Sequence, residues 1–348
     1  MFMKFKPPRP IILGIVGDSG AGKTTIAQGI VQILGADRVT VVCTDDYHKY
    51  DRKERAKIGI TPLHPDCNYI DIIEQHLERL YYGQAILKPV YDHSTGTLVR
   101  PEYVKPRDFV IVEGLLGYHT PVMRQFYDVK VYLDPLEELR RVWKIRRDTT
   151  KRGYTVEQVL KSLERREPDS ARFIRPQREY ADIVVQFYPP EGVPPEAAGP
   201  NLNVRLILRP TIPHPDLSYL TDGQAPTGIR LILGRDRGKP VDILEIDANV
   251  ASEHAHELAE KIWSHLPELA PVEEELFGNY QDLYEVRHSH PLALTQLLIV
   301  YHLLRKYSDL SELPLAPPVA ALSLLRYREY IQMAVRHERV QEPPARPD

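Results

Sequence analysis

The chain has 348 residues, a formal net charge of −3 and an apolar content of 43%. This length can bury one large or two ordinary hydrophobic cores, and the balanced charge gives no polycationic surface for nucleic acid. No apolar run approaches the length of a membrane span, the N-terminus MFMKFKPPRP lacks the apolar stretch of a secretory signal, and two cysteines make no disulfide framework. We therefore expect a cytoplasmic protein with no nucleic-acid or membrane partner.

The first predicted elements form a strand, a glycine-rich loop and a helix. The run from Ile11 to Val16 is typical of a buried parallel strand, and residues 17–24 read GDSGAGKT, which matches G-x-x-x-x-G-K-[ST]. Helical periodicity then extends from Thr25 to Leu34, so phosphates would lie at a helix N-terminus. In such a loop Lys23 contacts the outer phosphates and the Thr24 hydroxyl binds Mg²⁺; the alternative is a merely tight turn. The residues assigned to nucleotide binding are Gly17, Asp18, Ser19, Gly20, Ala21, Gly22, Lys23, Thr24 and Thr25.

Up to residue 188, apolar runs alternate with helical patterns, which indicates an α/β domain on a mainly parallel sheet flanked by helices. We place this domain, with a phosphate-loop (P-loop) fold, at residues 9–188. Its further predicted strands are Val39–Cys43, Phe109–Val112, Val129–Leu133 and Ile183–Phe187, and its further helices are Tyr69–Tyr82 and Leu136–Lys151.

A proline-rich stretch at residues 189–202 predicts a linker or long loop. Residues 203–340 are expected to form a smaller α+β extension that packs on the core or continues it, and residues 341–348 are expected to be a disordered tail. The predicted strands of this extension are Asn203–Arg209, Ile229–Leu233 and Val241–Ile246, and its helices are Ser252–Leu266 and Leu292–Lys306.

Acidic residues follow two of the predicted strands. Glu113 ends the run Phe109–Val112, where its carboxylate would lie beside the glycine-rich loop and bind Mg²⁺ or its water; the alternative is a glutamate that merely ends a strand. Asp45 and Asp46 follow the strand that ends at Cys43. One of them could take the proton of a substrate hydroxyl during phosphoryl transfer, although such a pair is also common in turns and helix caps.

Basic and aromatic residues near these aspartates suit a phosphate monoester. Histidine, two arginines and a tyrosine can bind an acceptor that already carries a phosphate; the alternative is a solvated charged helix. The candidates are His48, Arg52, Arg55, Tyr91 and His93.

A second basic segment follows Trp143 and reads KIRRDTTKRGY. Lys144, Arg147, Asp148 and Arg152 lie in it, and we expect a lid that closes over the nucleotide, excludes water and neutralises the transition state. The alternative is an ordinary surface helix end.

These motifs together resemble the phosphoribulokinase/uridine kinase family of P-loop kinases, in its plant and cyanobacterial branch. The stretches that carry the resemblance are GDSGAGKTT, VVCTDDYHKYDRKERAKIGITPL, GQAILKPVYDHSTG, FVIVEGL, WKIRRDTTKRGYTVEQVLKSLERREPD and FIRPQREYADIVVQF, with VDILEIDANVASEHAHELAEKIWSHLPEL further on. The resemblance implies a homodimeric enzyme that uses MgATP to phosphorylate ribulose 5-phosphate at its 1-hydroxyl in the Calvin cycle.

The resemblance also implies roles for single residues. Asp45 would be the general base, and Lys23 and Arg147 would complete the catalytic set, while Thr24 and Glu113 would bind magnesium. The residues implied in substrate binding are His48, Arg52, Arg55, Tyr91, His93, Lys144, Asp148, Arg152, Arg165 and Arg166. Two other readings stay open: a uridine kinase-like nucleoside kinase, and a P-loop regulatory protein that binds ATP without transferring its phosphate.

The chain departs from the plant pattern at one regulatory position. Plant-type members pair a P-loop cysteine with the cysteine before DDYH, whereas this chain has Ala21 and Cys43. We therefore predict that no thioredoxin-controlled disulfide forms here.

Overall fold

The computed structural model describes residues 6–221, 228–266, 277–282 and 285–311. The strands in these ranges are β1 (Ile11–Gly17), β2 (Val39–Cys43), β3 (Ile86–Asp92), β4 (Thr97–Val104), β5 (Phe109–Gly114), β6 (Val129–Leu133), β7 (Ile183–Tyr188), β8 (Asn203–Leu208), β9 (Ile229–Asp236), β10 (Lys239–Ile246), β11 (Asn279–Asp282) and β12 (Glu285–His288). The helices are α1 (Lys23–Leu34), α2 (Arg52–Ile58), α3 (Ile70–Tyr81), α4 (Pro121–Arg124), α5 (Glu137–Lys151), α6 (Val156–Asp169), α7 (Pro195–Ala198), α8 (Ser252–Ser264) and α9 (His290–Ser311). None of these helices is long and apolar enough to cross a membrane.

The centre of the molecule is an eight-stranded sheet in the order β2-β5-β1-β6-β7-β8-β10-β9. The first five strands in this order are parallel, and β8, β10 and β9 continue the sheet in antiparallel fashion. The mainly parallel sheet confirms the predicted fold class. Because β1 lies between β5 and β6, the loop that follows it opens at the carboxyl edge of the sheet, where ligands bind in folds of this kind.

Alternate residues of β1 pack into two separate hydrophobic clusters. Ile11, Leu13 and Ile15 face the cluster that includes α1, α8 and α9, whereas Ile12 and Val16 face the cluster that includes α3. Both faces of the strand are therefore covered, as the uninterrupted apolar run predicts.

The predicted elements are found close to their expected bounds. The predicted strands after residue 202, found as β8, β9 and β10, continue the main sheet, whereas β11 and β12 pair only with each other. Within residues 189–202 the structure contains the short helix α7. The division into domains at 188 and 203 stays a proposal. The predicted tail at residues 341–348 lies outside the described residues.

Sequence reasoning missed the hairpin β3–β4 and two helices beside the cleft. The alternation of β3 is interrupted at Pro89, where the pairing with β4 shifts in register. Helices α2 and α6 each begin at a capping box, Asp51 with Glu54 and Thr155 with Gln158. This sequence pattern marks a helix N-terminus and could have predicted both helices.

Candidate active site

The glycine-rich loop joins the end of β1 to the beginning of α1. Gly20 and Gly22 have φ angles of +87° and +92°, a left-handed backbone that favours glycine. Lys23 Nζ lies across the loop and donates to the carbonyl oxygens of Gly17 and Asp18, each at 3.0 Å. The loop thus presents an ammonium group and a helix N-terminus to the same point, which is an anion-binding arrangement.

A hydroxyl and a carboxylate meet beside this loop. Glu113 pairs in register with Ile15 of β1 and Cys43 of β2, so it lies at the same edge of the sheet. Its Oε2 accepts a hydrogen bond from Thr24 Oγ1 at 3.2 Å. Burial raises the pKa of this carboxyl group, although Lys23 opposes the shift. These residues fit Mg²⁺, which typically takes one or two protein oxygens and completes its shell with substrate phosphates and water.

The two neighbouring aspartates have different environments. Both lie in a 3₁₀ turn, Thr44–Tyr47, directly after β2. Asp46 pairs with Lys88 Nζ and accepts a hydrogen bond from the Tyr91 backbone N–H at 3.0 Å, so it anchors the hairpin β3–β4. Asp45 instead lines the cleft beside the loop.

Two arginines of α2 reach the hairpin. Arg55 is buried and donates to Tyr91 Oη at 2.5 Å and to the Tyr50 carbonyl at 2.6 Å. Arg52 donates to the His93 carbonyl at 2.6 Å. The helix and the hairpin thereby hold a group of cations and hydroxyls on one side of the cleft.

His48 lies next to the Tyr91 ring, with 4.9 Å between ring centroids. Its Nδ1 is 2.7 Å from Asn68 Oδ1, and Asn68 Nδ2 donates to two carbonyls, so Oδ1 is the acceptor and His48 Nδ1 the donor. Burial lowers the pKa of His48 to about 4. The ring is therefore neutral at pH 7, and its Nε2 is a hydrogen-bond acceptor.

The basic segment of α5 is held together by one buried carboxylate. Asp148 binds Lys144 Nζ at 2.9 Å, Arg147 Nε at 2.9 Å and Arg152 Nη1 at 3.5 Å. Lys144 Nζ also lies 3.3 Å from Ser19 Oγ of the loop. Burial, with the nearby Arg166 guanidinium, lowers the pKa of Lys144 to about 7.

Two guanidinium nitrogens near this segment are buried without a hydrogen-bond partner among the described residues. They are Arg147 Nη2 and Arg166 Nε. A buried donor without an acceptor is costly, and a phosphate oxygen is a suitable acceptor.

A cleft of 610 Å³ brings these side chains together. All the residues predicted to bind the substrate line it, and so do the predicted catalytic and metal-binding residues. They are Lys23, Thr24, Asp45, His48, Arg52, Arg55, Tyr91, His93, Glu113, Lys144, Arg147, Asp148, Arg152, Arg165 and Arg166.

Sequence reasoning missed several contributors to this site. Asp18 was expected only as part of the phosphate loop, but its side chain accepts hydrogen bonds from Ser170 Oγ and, at 2.6 Å, from the Ser19 backbone N–H. Arg140 of α5 donates to the Ser19 carbonyl at 2.7 Å. The contacts of Asp18 with Ser170 and of Arg140 with Ser19 join distant parts of the chain, so no local pattern indicates them. Tyr154, Gln158, Lys161 and Ser162 add further polar lining to the cleft.

A second cavity of 320 Å³ also borders the phosphate loop. Its lining combines apolar and aromatic side chains, including Trp143, Phe187 and Leu292, with the cations Lys23, Arg146, Arg147 and Lys151. The two cavities share Gly20, Lys23, Thr24 and Arg147.

A phosphate loop at the edge of a parallel sheet, with a carboxylate and many cations in the adjoining cleft, is the arrangement of a P-loop kinase. Residues 12–194 match the model of the phosphoribulokinase/uridine kinase family. The chain belongs to this family.

Individual relatives agree with this family assignment. The phosphoribulokinase of Synechocystis sp. is 37% identical over 255 residues, which cover 69% of this chain and 76% of that protein. A uridine kinase of Chloroflexus aurantiacus is also 37% identical, over 181 residues that cover 50% of this chain and 86% of that protein. The solved structure of phosphoribulokinase from Rhodobacter spheroides matches with a TM-score of 0.53 at 19% identity, over 75% of this chain and 98% of that one, and supports the fold.

Proposed function

We propose that this protein is a phosphoribulokinase, which transfers the terminal phosphate of ATP to the 1-hydroxyl of D-ribulose 5-phosphate and forms ribulose 1,5-bisphosphate. The observation that carries the proposal is the single cleft that holds the phosphate loop, Asp45 and a group of phosphate-binding cations. Similarity to the Synechocystis phosphoribulokinase over 69% of the chain supports it. We further propose a homodimer that acts in the cytoplasm and in the Calvin cycle.

Asp45 is the proposed general base. Asp46 is already engaged with Lys88 and the Tyr91 backbone, so Asp45 is the carboxylate of the pair left to act on the substrate. The sugar oxygen forms a bond to the terminal phosphorus, the bond from that phosphorus to the bridging oxygen of ADP breaks, and the hydroxyl proton passes to Asp45.

The charge that develops on the transferring group is stabilised from the phosphate loop and from α5. Lys23 and Arg147 border both cavities, so they lie where a phosphate passes from one to the other. Thr24 and Glu113 would hold Mg²⁺, which supplies positive charge to the terminal phosphates. Lys144 contacts the loop at Ser19 and adds a cation there when protonated.

The remaining cations of the cleft are suited to bind the phosphate that the acceptor already carries. Arg52, Arg55 and Tyr91 are the proposed ligands of the 5-phosphate, because guanidinium groups suit phosphate geometry. Neutral His48 can accept a hydrogen bond from a sugar hydroxyl. A neutral nucleoside would leave Arg52 and Arg55 without an anionic partner, which argues against uridine as the acceptor.

The test is ADP release by the purified protein with MgATP and four acceptor conditions: ribulose 5-phosphate, ribulose, uridine and no acceptor. We expect rapid release with ribulose 5-phosphate and little in the other three. Ribulose is the matched control, since it lacks only the phosphate. Release with uridine alone would assign a nucleoside kinase, and ATP binding without acceptor-dependent release would assign a regulatory protein.

A further inference from the structure

The smaller cavity is partly built by residues that follow the family-matched region 12–194. Gly199, Pro200 and Leu202 line it after α7, and Tyr280, Ser289 and Leu292 line it from β11 and the beginning of α9. Its opposite side consists of the phosphate loop, α5 and β7. The cavity therefore depends on the C-terminal part of the chain.

One part of the lining suits a flat apolar group. Trp143 and Phe187 lie close together, with ring centroids 6.4 Å apart, and Leu202, Tyr280 and Leu292 add further apolar surface. The cations of this cavity, Lys23, Arg146, Arg147 and Lys151, belong to the phosphate loop and α5. The larger cleft has more charged side chains. Nucleotide bases bind by stacking on aromatic and apolar side chains.

The position of the cavity matches that expected for the nucleoside of a nucleotide bound at the phosphate loop. It reaches Gly22, Thr24 and Thr25 at the beginning of α1, and it adjoins the acceptor cleft, with which it shares Lys23, Thr24 and Arg147. A nucleotide whose terminal phosphate is directed toward Asp45 can place its nucleoside in the smaller cavity.

The C-terminal wall is attached to the phosphate-loop helix. Gln296 of α9 accepts a hydrogen bond from the Gly278 N–H at 2.8 Å, directly before β11. Its amide group also packs where Gly29 of α1 has no side chain, and a Cβ at Gly29 would collide with it. The Ser289 N–H donates to the Gly278 carbonyl at 3.0 Å. Gly278, which precedes β11, and Ser289, which follows β12, are therefore held together near α1.

We propose that Tyr280 and Leu292 form one wall of the pocket for the base of the nucleoside triphosphate, and that this C-terminal wall determines how tightly the base is held. The inference rests on the proposed use of ATP as donor. The uridine kinase relative aligns over 86% of its own length with half of this chain, so little of it remains to build a comparable wall.

The test compares ligands that have or lack a base. Binding of ADP and of inorganic tripolyphosphate is measured calorimetrically on the full chain, in Tyr280→Ala, Leu292→Ala and the control Leu294→Ala. Leu294 is a buried residue of α9 that does not line the cavity, so this control matches the truncation and its effect on packing. We expect the two wall variants to weaken ADP about tenfold, in line with the loss of stacking and apolar contact, with tripolyphosphate unchanged.

Two outcomes would overturn the inference: ADP weakened no more than in Leu294→Ala, or ADP and tripolyphosphate weakened equally. A readout on the unmutated protein guards against misfolded variants. The chain has two tryptophans, and ADP but not tripolyphosphate should quench the emission of Trp143, an effect that Trp143→Phe should remove; equal quenching by both ligands also counts against the base pocket. Failure of ribulose 5-phosphate phosphorylation with ADP binding intact would refute the proposed acceptor and leave this inference standing.

Discussion

The two cavities that meet at the phosphate loop are lined by different kinds of side chain. The larger one is rich in cations and is lined by residues between Ser19 and Arg166. The smaller one has fewer cations and a group of apolar and aromatic side chains, and its lining residues extend along the chain to Leu292. Recognition of a phosphate depends on charge, whereas recognition of a base depends on shape and stacking. The acceptor site and the proposed base site therefore require different kinds of side chain.

The largest expected effect separates the two aspartates of the larger cavity. Asp45→Asn should lower kcat by about 10²–10⁴-fold, the range associated with general acid–base catalysis, with ADP affinity and thermal stability unchanged. Asp46→Asn should instead lower the melting temperature, because it weakens the partner of the buried Lys88 ammonium group. Steady-state kinetics, calorimetric ADP binding and thermal melting measure all three quantities.

A loss of kcat in Asp46→Asn at unchanged stability, together with near-normal turnover in Asp45→Asn, would exchange the proposed roles. It would also show that the hairpin is held by contacts other than the Asp46–Lys88 pair.

A smaller effect is expected from removing one cation of the acceptor side. Arg52→Ala should raise the KM for ribulose 5-phosphate by about 10- to 100-fold, the loss of one charge-assisted contact, and leave the KM for ATP nearly unchanged. Lys53→Ala is the matched control, because Lys53 is the next residue of α2, is exposed and does not line the cleft. Equal changes in the two variants would mean that general surface charge, rather than a phosphate contact, attracts the substrate.

The larger cavity was mostly predictable because its loop and its acidic residues directly follow parallel strands that the sequence predicts. Parallel strands place their carboxyl ends at one edge, which brings Glu113 and Asp45 to the phosphate loop without knowledge of the packing. The choice of Asp45 rather than Asp46 as the general base was harder to make from the sequence. It depends on Lys88 in a hairpin whose alternation is broken at Pro89.

The smaller cavity was not predictable from the sequence in the same way. No motif marks Tyr280, and Leu292 belongs to an apolar helix whose pattern is typical of a core or a dimer contact. Their position beside the phosphate loop arises from the packing of α9 on α1, including the contact between Gln296 and Gly29. Contacts between residues more than 250 positions apart, such as these, leave no local pattern.

Nucleotide binding should also change the protonation of the larger cavity. The pKa of Lys144 is lowered to about 7, so this group is mostly neutral at pH 8 in the free protein. Phosphates bound beside it favour its charged form, so ADP binding at pH 8 should take up a fraction of a proton. Calorimetry in buffers of different ionisation enthalpy measures this uptake.

Lys144→Met should abolish the uptake, while Lys161→Met, which removes an exposed cation of the same cleft, should retain it. The unfolded chain holds this proton up to the ordinary lysine pKa of 10.5, so it binds more protons than the folded chain between pH 7 and 10.5. The contribution of Lys144 to the free energy of unfolding therefore rises with pH in this window. Uptake that persists in Lys144→Met would assign the proton to another group.

The smallest expected effect concerns thiol chemistry across the phosphate loop. Ala21 lines the smaller cavity and Cys43 the larger one, so a disulfide between these positions would join the two. With alanine at position 21 that bond cannot form, and burial next to Asp45 and Glu113 raises the pKa of the Cys43 thiol, which makes it a poor nucleophile. We therefore expect kcat to change less than about twofold after treatment with oxidant and then dithiothreitol.

Ala21→Cys is the matched comparison, because it restores the cysteine of the plant-type pattern. If the bond forms in that variant, oxidation should inhibit it reversibly, and a similar reversible inhibition of the unmutated protein would mean that Cys43 or Cys67 acts as a switch by another route.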